Sequence, residues 1–236
     1  MGTHRTSRIG AASAIRHALH ESPERIVASK KAIARLSIYR RSLQRELARG
    51  EKFVCSYDLA KETGVSAAQV RRDIMLLGYS GSPNRGYDAV ELIRSIGRYL
   101  DDPEGQKVAI VGLGDLGRAV VTFVARNRPG FSVIAAFDHD PAKVGMNVRG
   151  CRCYSVDDLP EVVARLGICV GIIAVPVHSA QEAADQLIAA GVTGLVNFAP
   201  IALSVPEHVH VESHDLITAL ERAAYFAKPA SSGQSA

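Results

Sequence analysis

The sequence has few cysteines and no long apolar segment. Four cysteines among 236 residues do not make a disulfide scaffold, and their spacing does not form a zinc site. Cys151 and Cys153 would share one face of a strand, so a redox or metal role is open, but two ordinary strand cysteines are favoured. The sequence contains no run of eighteen apolar residues and no secretory signal. We therefore expect a cytoplasmic protein that does not bind a membrane.

Charge is divided unevenly along the chain. Residues 1–100 contain 18 Lys and Arg against 9 Asp and Glu, whereas residues 101–236 contain 10 against 15. The net charge of +4 therefore combines a basic first part with an acidic second part. This division predicts that the first part binds a polyanion while the second part has another role.

The first hundred residues have the pattern of a winged helix-turn-helix. Apolar residues at three- and four-residue steps from Ile33 to Leu47 predict a first helix. After a short strand, Ser56 is the expected N-cap of a second helix, and Ser66 with Gln69 has the capping-box spacing of a third. The turn TGVS joins these two helices, and the turn-rich residues that follow predict a wing.

Five polar residues of this region are candidates for DNA contacts. Gln69, Arg71 and Arg72 lie on the expected recognition helix, and arginine binds guanine bidentately in the major groove. Ser66 can meet phosphate at the start of that helix. Arg85 in the wing can enter a narrow minor groove.

Beyond residue 106, apolar strands alternate with helices. This alternation predicts an α/β domain, a Rossmann-like doubly wound parallel sheet covered on both faces. The predicted organisation is a flexible basic arm (1–28), a winged-helix DNA-binding domain (29–87), a connecting helix and linker (88–106), a Rossmann NAD(H)-binding domain (107–214), a C-terminal helix (215–227) and a disordered tail (228–236).

The stretch KVAIVGLGDLGRAVVTF predicts a dinucleotide site. Its three glycines, Gly112, Gly114 and Gly117, follow a strand and open a helix, as the pyrophosphate loop of Rossmann domains requires. Asp138 ends the next strand, where a carboxylate binds the ribose hydroxyls and repels a 2′-phosphate, which favours NAD(H) over NADP(H). Asp115 lies inside the loop, where its charge should oppose the phosphates.

Two later loops are expected at the same edge of the sheet. They follow the fourth and fifth strands, and the second is expected to form a wall of the nicotinamide site. The candidate cofactor-binding residues are Gly112, Leu113, Gly114, Asp115, Leu116, Gly117, Asp138, Val175, Pro176, Asn197, Phe198, Ala199 and Pro200. No catalytic residue and no metal ligand is assigned.

An NAD-dependent oxidoreductase with an N-terminal helical accessory domain is the alternative. Enzymes of this architecture usually have a second domain that holds the substrate, but here only one short helix follows the sheet. His178 would be the candidate for proton transfer. A bare nucleotide-binding or CoA-binding subunit would leave the first 85 or so residues without a role. A sensor of the dinucleotide is therefore favoured over an enzyme.

Segments of both halves resemble the Rex family of redox-sensing transcriptional repressors: QVRRD, LLGYSGSPNRGYD, VGLGDLGRAV, AAFDHDPAKVG, IIAVPVHSAQEAADQLIAAGVTGLVNFAP and VESHDL. The resemblance covers roughly residues 29–227. It implies a homodimer whose winged helices bind inverted-repeat operators and which NADH releases from DNA. It also implies that the helix beginning near Asp215 is swapped into the partner subunit.

Some features depart from the family pattern. Arg85 is the only cation of the wing, where members often have two adjacent basic residues. Phe123 stands where many members have a tyrosine, so a hydrogen bond from that hydroxyl is absent. Arg41 and Asp215 are candidate state-dependent contacts, and Leu216 is expected to cover the nicotinamide pocket of the other subunit.

Overall fold

A computed structural model describes residues 28–127 and 130–227 of the chain. The chain divides after Leu100 into two compact units. Apart from Ala28, the predicted arm at 1–28 lies outside the described residues, as does the predicted tail at 228–236. The helix predicted to connect the two domains belongs to the first unit.

The described part of the first unit, residues 28–100, forms helices and a two-stranded sheet. Two short helices form the predicted helix-turn-helix, joined at Gly64, whose φ of +65° favours glycine. A bridge between Ser82 and Gly86 closes the predicted wing. In chain order the elements are α1 (Lys30–Ala48), β1 (Phe53–Val54), α2 (Ser56–Thr63), α3 (Ala67–Met75), β2 (Tyr87–Asp88) and α4 (Ala89–Leu100).

The four helices within residues 28–100 all contribute to one core of the first unit. Because α4 buries two large aliphatic side chains in this core, it is part of the folded unit rather than a bare connector. The large side chains of the helices that are fully buried in this core are Leu36, Tyr39 and Leu43 of α1, Leu59 of α2, Val70 and Ile74 of α3, and Leu92 and Ile96 of α4.

Two details of the first unit differ from expectation. Ile33, the first residue of the predicted apolar stripe, is 37% exposed. The N-cap of α2 is Cys55 and not Ser56. The backbone N–H of Cys55 donates to the carboxylate of Asp58 at 3.2 Å, so the acid three residues later, rather than a serine hydroxyl, fixes where the helix begins.

The second unit contains a seven-stranded sheet in the order β5-β6-β4-β3-β7-β8-β9. All pairs are parallel except β5 with β6. The elements are β3 (Gln106–Val111), α5 (Asp115–Asn127), β4 (Phe131–Asp138), β5 (Asn147–Val148), β6 (Cys151–Ser155), a 3-10 turn (Val156–Asp158), α6 (Leu159–Leu166), β7 (Val170–Ile173), α7 (Val177–Ala189), β8 (Gly194–Asn197), β9 (His210–Ser213) and α8 (Leu216–Ala227).

The six parallel strands have the order of a doubly wound Rossmann sheet. Each half begins at the centre, at β3 and β7, and continues outward to an edge. Side chains of β3 alternate between two cores, with Ala109 and Val111 in one and Val108 and Ile110 in the other. The sheet is therefore buried on both faces, as the continuous apolar strands predict.

Several elements of the second unit did not follow from the sequence pattern. The short strand β5 forms a hairpin with β6 through Arg149 and Gly150, both with positive φ, as in a two-residue hairpin turn. Helix α7 begins at Val177, so His178 lies in its first turn and is exposed. Every residue of α8 is exposed.

Among the helices of residues 28–127 and 130–227, none has the length and apolar character needed to cross a membrane.

Candidate nucleotide-binding and DNA-binding sites

The loop between β3 and α5 places its three glycines in different surroundings. A Cβ atom at Gly112 would lie 2.4 Å from the carbonyl oxygen of Ala174, and one at Gly117 would lie 2.0 Å from that of Gly112. Neither position has room for a side chain. A Cβ atom at Gly114 would meet no heavy atom within 4 Å. The open space at Gly114 is where a pyrophosphate approaches the backbone in a Rossmann site.

Asp138, at the end of β4, is buried and bonded through both carboxylate oxygens. Its Oδ2 accepts from the backbone N–H of Leu113 at 2.8 Å and from Nζ of Lys143 at 3.0 Å, and its Oδ1 accepts from the N–H of Asp140 at 3.0 Å. Burial alone would raise the pKa of Asp138, but these hydrogen bonds and the lysine charge lower it below its ordinary value. The ionised carboxylate therefore holds the glycine loop in place.

The bond from Lys143 to Asp138 did not follow from the ribose motif. The motif assigns Asp138 to the ribose, whereas the structure already pairs it with a lysine five residues later in DHDPAK. A ribose hydroxyl at this carboxylate would share it with Lys143 or replace the lysine. Spacing in the loop after β4 is the only sequence signal for this contact.

Backbone hydrogen bonds join the carboxyl ends of neighbouring strands. The N–H of Gly112 donates to Phe137 at 2.8 Å, that of Ala174 to Val111 at 2.9 Å and that of Phe198 to Ile173 at 3.0 Å. These bonds bring the glycine loop, the Val175–Pro176 segment and the Asn197–Pro200 segment to one edge of the sheet. Val175 also approaches the glycine loop, since a Cβ at Gly112 would lie 2.9 Å from its Cγ1.

Asn197 organises the turn after β8. Its side chain is fully buried and donates to the carbonyl groups of Ala199 at 3.1 Å and Ile201 at 2.9 Å, while its Oδ1 accepts from the N–H of Ala199 at 2.9 Å. These three bonds occupy the amide, so Asn197 shapes the turn instead of facing a ligand. Phe198 is half-buried and its ring lies 5.7 Å from that of His214, while Pro200 is exposed.

Asp115 and Leu116 lie on the outer side of the glycine loop. The Asp115 side chain is fully exposed, and its Oδ1 lies 3.2 Å from Nη2 of Arg118. This partner offsets part of the negative charge next to the phosphate position. Leu116 is 38% exposed at the start of α5.

The recognition helix α3 begins at Ser66, as its capping signal predicts. The Ser66 hydroxyl accepts from the backbone N–H of Gln69 at 3.2 Å. The capping-box spacing also predicts a bond between the Gln69 side chain and the backbone of Ser66, and this prediction is wrong. The Gln69 side chain donates instead to Asp73 at 2.9 Å. Arg71 and Arg72 are both exposed, and Arg71 donates to the hydroxyl of Ser56 in α2 at 3.1 Å.

The wing places Arg85 at its exposed tip. Gly86, with φ of +80°, passes so close to β1 that a Cβ there would lie 2.7 Å from the carbonyl oxygen of Val54. The guanidinium of Arg85 lies 5.9 Å from the centre of the Phe53 ring in β1, which is within cation–π distance. The single cation of the wing is therefore supported by the strand next to it.

The candidate switch residues are all exposed or half-buried. Arg41 is exposed on α1 of the first unit, and Phe123 is 67% exposed on α5 of the second. Asp215 caps α8 by accepting from the N–H groups of Ile217 at 2.9 Å and Thr218 at 3.0 Å. Leu216 is 59% exposed at the start of that helix.

The burial of the four cysteines predicts which of their thiols react in the native protein. Cys151 and Cys153 are buried in the sheet, and burial together with the neighbouring thiol raises the pKa of Cys151 to about 12. Cys55 and Cys169 are exposed. Because the thiolate is the reactive form, we expect a disulfide reagent to modify two thiols in the native protein and all four after unfolding. Fast modification of three or four native thiols would support a redox role for the buried pair.

Comparisons with known proteins agree with this geometry. Residues 28–74 match the family "Putative DNA-binding protein N-terminus", and residues 104–201 match the CoA binding domain family. A redox-sensing transcriptional repressor Rex from Rhodopirellula baltica is 40% identical over 205 residues, which cover 87% of this chain and 86% of that protein. The Rex protein of Pelotomaculum thermopropionicum is 38% identical over 189 residues, 80% of this chain and 89% of the relative.

The chain belongs to the Rex family. Its relatives are named as repressors and not as enzymes, so the prediction of a redox-sensing transcriptional repressor is confirmed. The crystal structure of RSP, a Rex-family repressor, has 31% sequence identity and a TM-score of 0.75, with 85% of this chain and 94% of that chain covered. RSP has also been solved with β-NAD⁺ and operator DNA and with β-NADH. The predicted fold class is likewise confirmed.

Proposed function

We propose that this Rex protein is a homodimer that binds inverted-repeat operator DNA in the cytoplasm and leaves it when NADH binds. The proposal depends on the observation that one chain contains both a basic recognition helix and a dinucleotide-type glycine loop. Among the three glycines of that loop, only Gly114 faces open space. RSP is similar over 85% of this chain and has been solved with both oxidation states of the dinucleotide. The candidate site residues above are the proposed contacts, apart from Asn197, whose side chain holds the turn after β8, and Gln69, whose side chain is bonded to Asp73.

The residues at the sheet edge fit a dinucleotide. The pyrophosphate would lie at Gly114 and the first N–H groups of α5, and the adenosine ribose at Asp138. The nicotinamide would lie toward the turn that Asn197 holds, with Phe198 and Pro200 beside it. The bound dinucleotide supplies a ring that is cationic when oxidised and neutral when reduced.

An apolar surface at the nicotinamide favours the reduced form. A cation loses hydration when it is buried among apolar groups, and this penalty is absent for the neutral ring. A ligand shifts a conformational equilibrium only by its differential affinity for the two states. NADH therefore releases DNA if it binds the state with misplaced recognition helices better than the DNA-binding state.

Helix α8 supports the assignment of a homodimer. Its apolar side chains are exposed over its whole length, which a single folded chain does not stabilise in water. A second copy of the chain is the proposed cover, with Asp215 and Leu216 at the start of the swapped helix and Phe123 of α5 among the residues it meets. The large apolar side chains exposed on α8 are Leu216 (59%), Ile217 (59%), Leu220 (66%), Tyr225 (69%) and Phe226 (81%), and Phe123 of α5 is 67% exposed.

The proposal is tested by an electrophoretic shift on an inverted-repeat operator at fixed total nucleotide and varied NADH to NAD⁺ ratio. We expect occupancy to fall as the ratio rises. Sedimentation should give a dimer, and the paired change Leu220→Asp and Phe226→Asp should give a monomer with weaker operator binding. Operator occupancy that ignores the ratio, together with turnover of NADH on a small carbonyl compound, would favour the oxidoreductase instead.

The charge of Asp115 gives a smaller, separate prediction. The Asp115→Asn variant should bind NADH more tightly because it removes a negative charge beside the phosphates. Since the side chain is exposed and lies near Arg118, we expect a gain of only about twofold to threefold at low salt. Fluorescence titration of NADH at two ionic strengths measures it. Identical curves for the variant and the parent at low salt would show that Asp115 exerts no field on the ligand.

A further inference from the structure

Helix α3 has three sides with different surroundings. Val70, Asp73 and Ile74 are buried, together with Ala67 at the start of the helix. Ala68, Arg71, Arg72 and Met75 are exposed. The exposed residues have the spacing i, i+3, i+4 and i+7, which places them in one row along the helix. Gln69 is half-buried between the two sides.

The buried carboxylate of Asp73 ties α3 to α1. Arg35 binds it bidentately, with Nε to Oδ2 at 2.6 Å and Nη2 to Oδ1 at 2.7 Å. The Tyr39 hydroxyl donates to Oδ2 at 2.9 Å, and Gln69 Nε2 donates to Oδ1 at 2.9 Å. The four donors account for the whole acceptor capacity of the ionised carboxylate. This cluster fixes the rotation of α3 on α1.

Gln69 is therefore held by the protein and not presented to DNA. Turning its amide toward a base would break a hydrogen bond to a charged, buried acceptor. The loss of this bond would disfavour the base-facing orientation by about tenfold to a hundredfold. Arg72 and Met75 have no such restraint among the described contacts. The row of exposed residues is also the pattern with which a recognition helix lying in the major groove contacts bases.

Met75 is the large apolar residue of this row and is 71% exposed. Such a side chain gains by leaving water, and the major groove offers one apolar partner, the C5-methyl group of thymine. Among the described residues of the first unit, 28–100, no neighbour covers it. Its position one turn beyond the arginine pair places it at the next base pairs along the groove.

We propose that the base-contacting side chains of α3 are the row Ala68, Arg71, Arg72 and Met75, with Met75 selecting thymine, and that Gln69 is a positioning residue acting through Asp73. This inference rests on the proposed operator binding. It replaces Gln69 as a base contact and adds Met75, which was not among the candidate DNA contacts.

The test is a selection of duplexes from a pool with a random central region, using the full chain without NADH. The variants are Met75→Ala, Gln69→Ala and Gln69→Met, with Val90→Ala, which trims an exposed apolar residue of α4, as control. We expect Met75→Ala to select the same inverted repeat but to lose its preference for an A·T pair once per half-site, by about fourfold for each methyl or methylene group buried. Both Gln69 variants should keep every base preference while binding all sequences about tenfold more weakly.

Base preference separates positioning from direct contact, and it does not depend on fold stability. NADH titration and thermal unfolding confirm that each variant is folded at the assay temperature. Loss of one base preference in both Gln69 variants, or an unaltered preference in Met75→Ala, would overturn the inference. A parent chain that enriches no inverted repeat would instead overturn the proposed function, and the inference with it.

Discussion

A Gly114→Val chain is expected to keep its fold and its operator affinity but to lose its response to NADH. A Cβ at this position meets no protein atom within 4 Å, so the branched side chain occupies space outside the core. That space is where the pyrophosphate must approach the backbone. We expect NADH affinity to fall by about a hundredfold, equivalent to about 2.7 kcal/mol, and operator binding to persist at NADH concentrations that release the parent. NADH fluorescence titration and gel shifts measure the two effects.

Two other glycines serve as controls for Gly114→Val. Gly130→Val introduces the same side chain into open space before β4, at the opposite end of the parallel strands, and should leave both assays unchanged. Gly117→Ala should instead lower the unfolding temperature, because its Cβ would lie 2.0 Å from the carbonyl oxygen of Gly112. Normal NADH release of the Gly114→Val chain would mean that the dinucleotide does not use this loop.

An Arg72→Ala chain is expected to lose operator binding while binding NADH like the parent. Arg72 is exposed on the recognition helix, and a bidentate arginine–guanine contact contributes about 1–3 kcal/mol. A dimer makes the contact in both half-sites, so the affinity should fall by at least about thirtyfold. Arg71→Ala should also abolish binding, but it removes a bond to Ser56 as well, which makes Arg72 the cleaner substitution.

The matched control for Arg72→Ala is Arg94→Ala on α4. It removes one exposed arginine from the same unit, so it changes the net charge equally, and its only described partner is Glu91 in the same helix. Its operator affinity should stay within about threefold of the parent at the same salt. Equal losses in both variants would indicate a general electrostatic attraction in place of a specific contact by Arg72.

Most of the fold could be predicted because its signals are local. Ser66 before α3 and Gly64 after α2 mark helix ends through their own backbone requirements, and the alternation of apolar strands with helices predicts a parallel sheet. Strand β5 was not predicted, since two residues have no period of their own. Ile33 begins the predicted apolar stripe but is exposed, because spacing alone does not specify which side of a long helix its neighbours cover.

The candidate nucleotide site could be predicted only in part. The glycine motif locates the loop, yet only packing distinguishes Gly114, with open space, from Gly112 and Gly117, which have none. Asn197 was placed in a ligand wall, whereas its side chain is used inside the turn. Hydrogen-bond partners of this kind come from chain reversals that a strand-and-helix pattern does not contain.

The sequence by itself determined the two-part organisation, the basic DNA-binding end, the Rossmann sheet and the family. These follow from periodicity, charge and short motifs, which act over a few residues. Only the tertiary structure decided what each polar side chain does. Asp73 accepts hydrogen bonds from Arg35, Tyr39 and Gln69. Asp138 accepts them from Leu113 and Lys143. The physical reason is that a buried carboxylate must be satisfied by whichever donors the fold brings to it, and several of those donors lie far away in the chain.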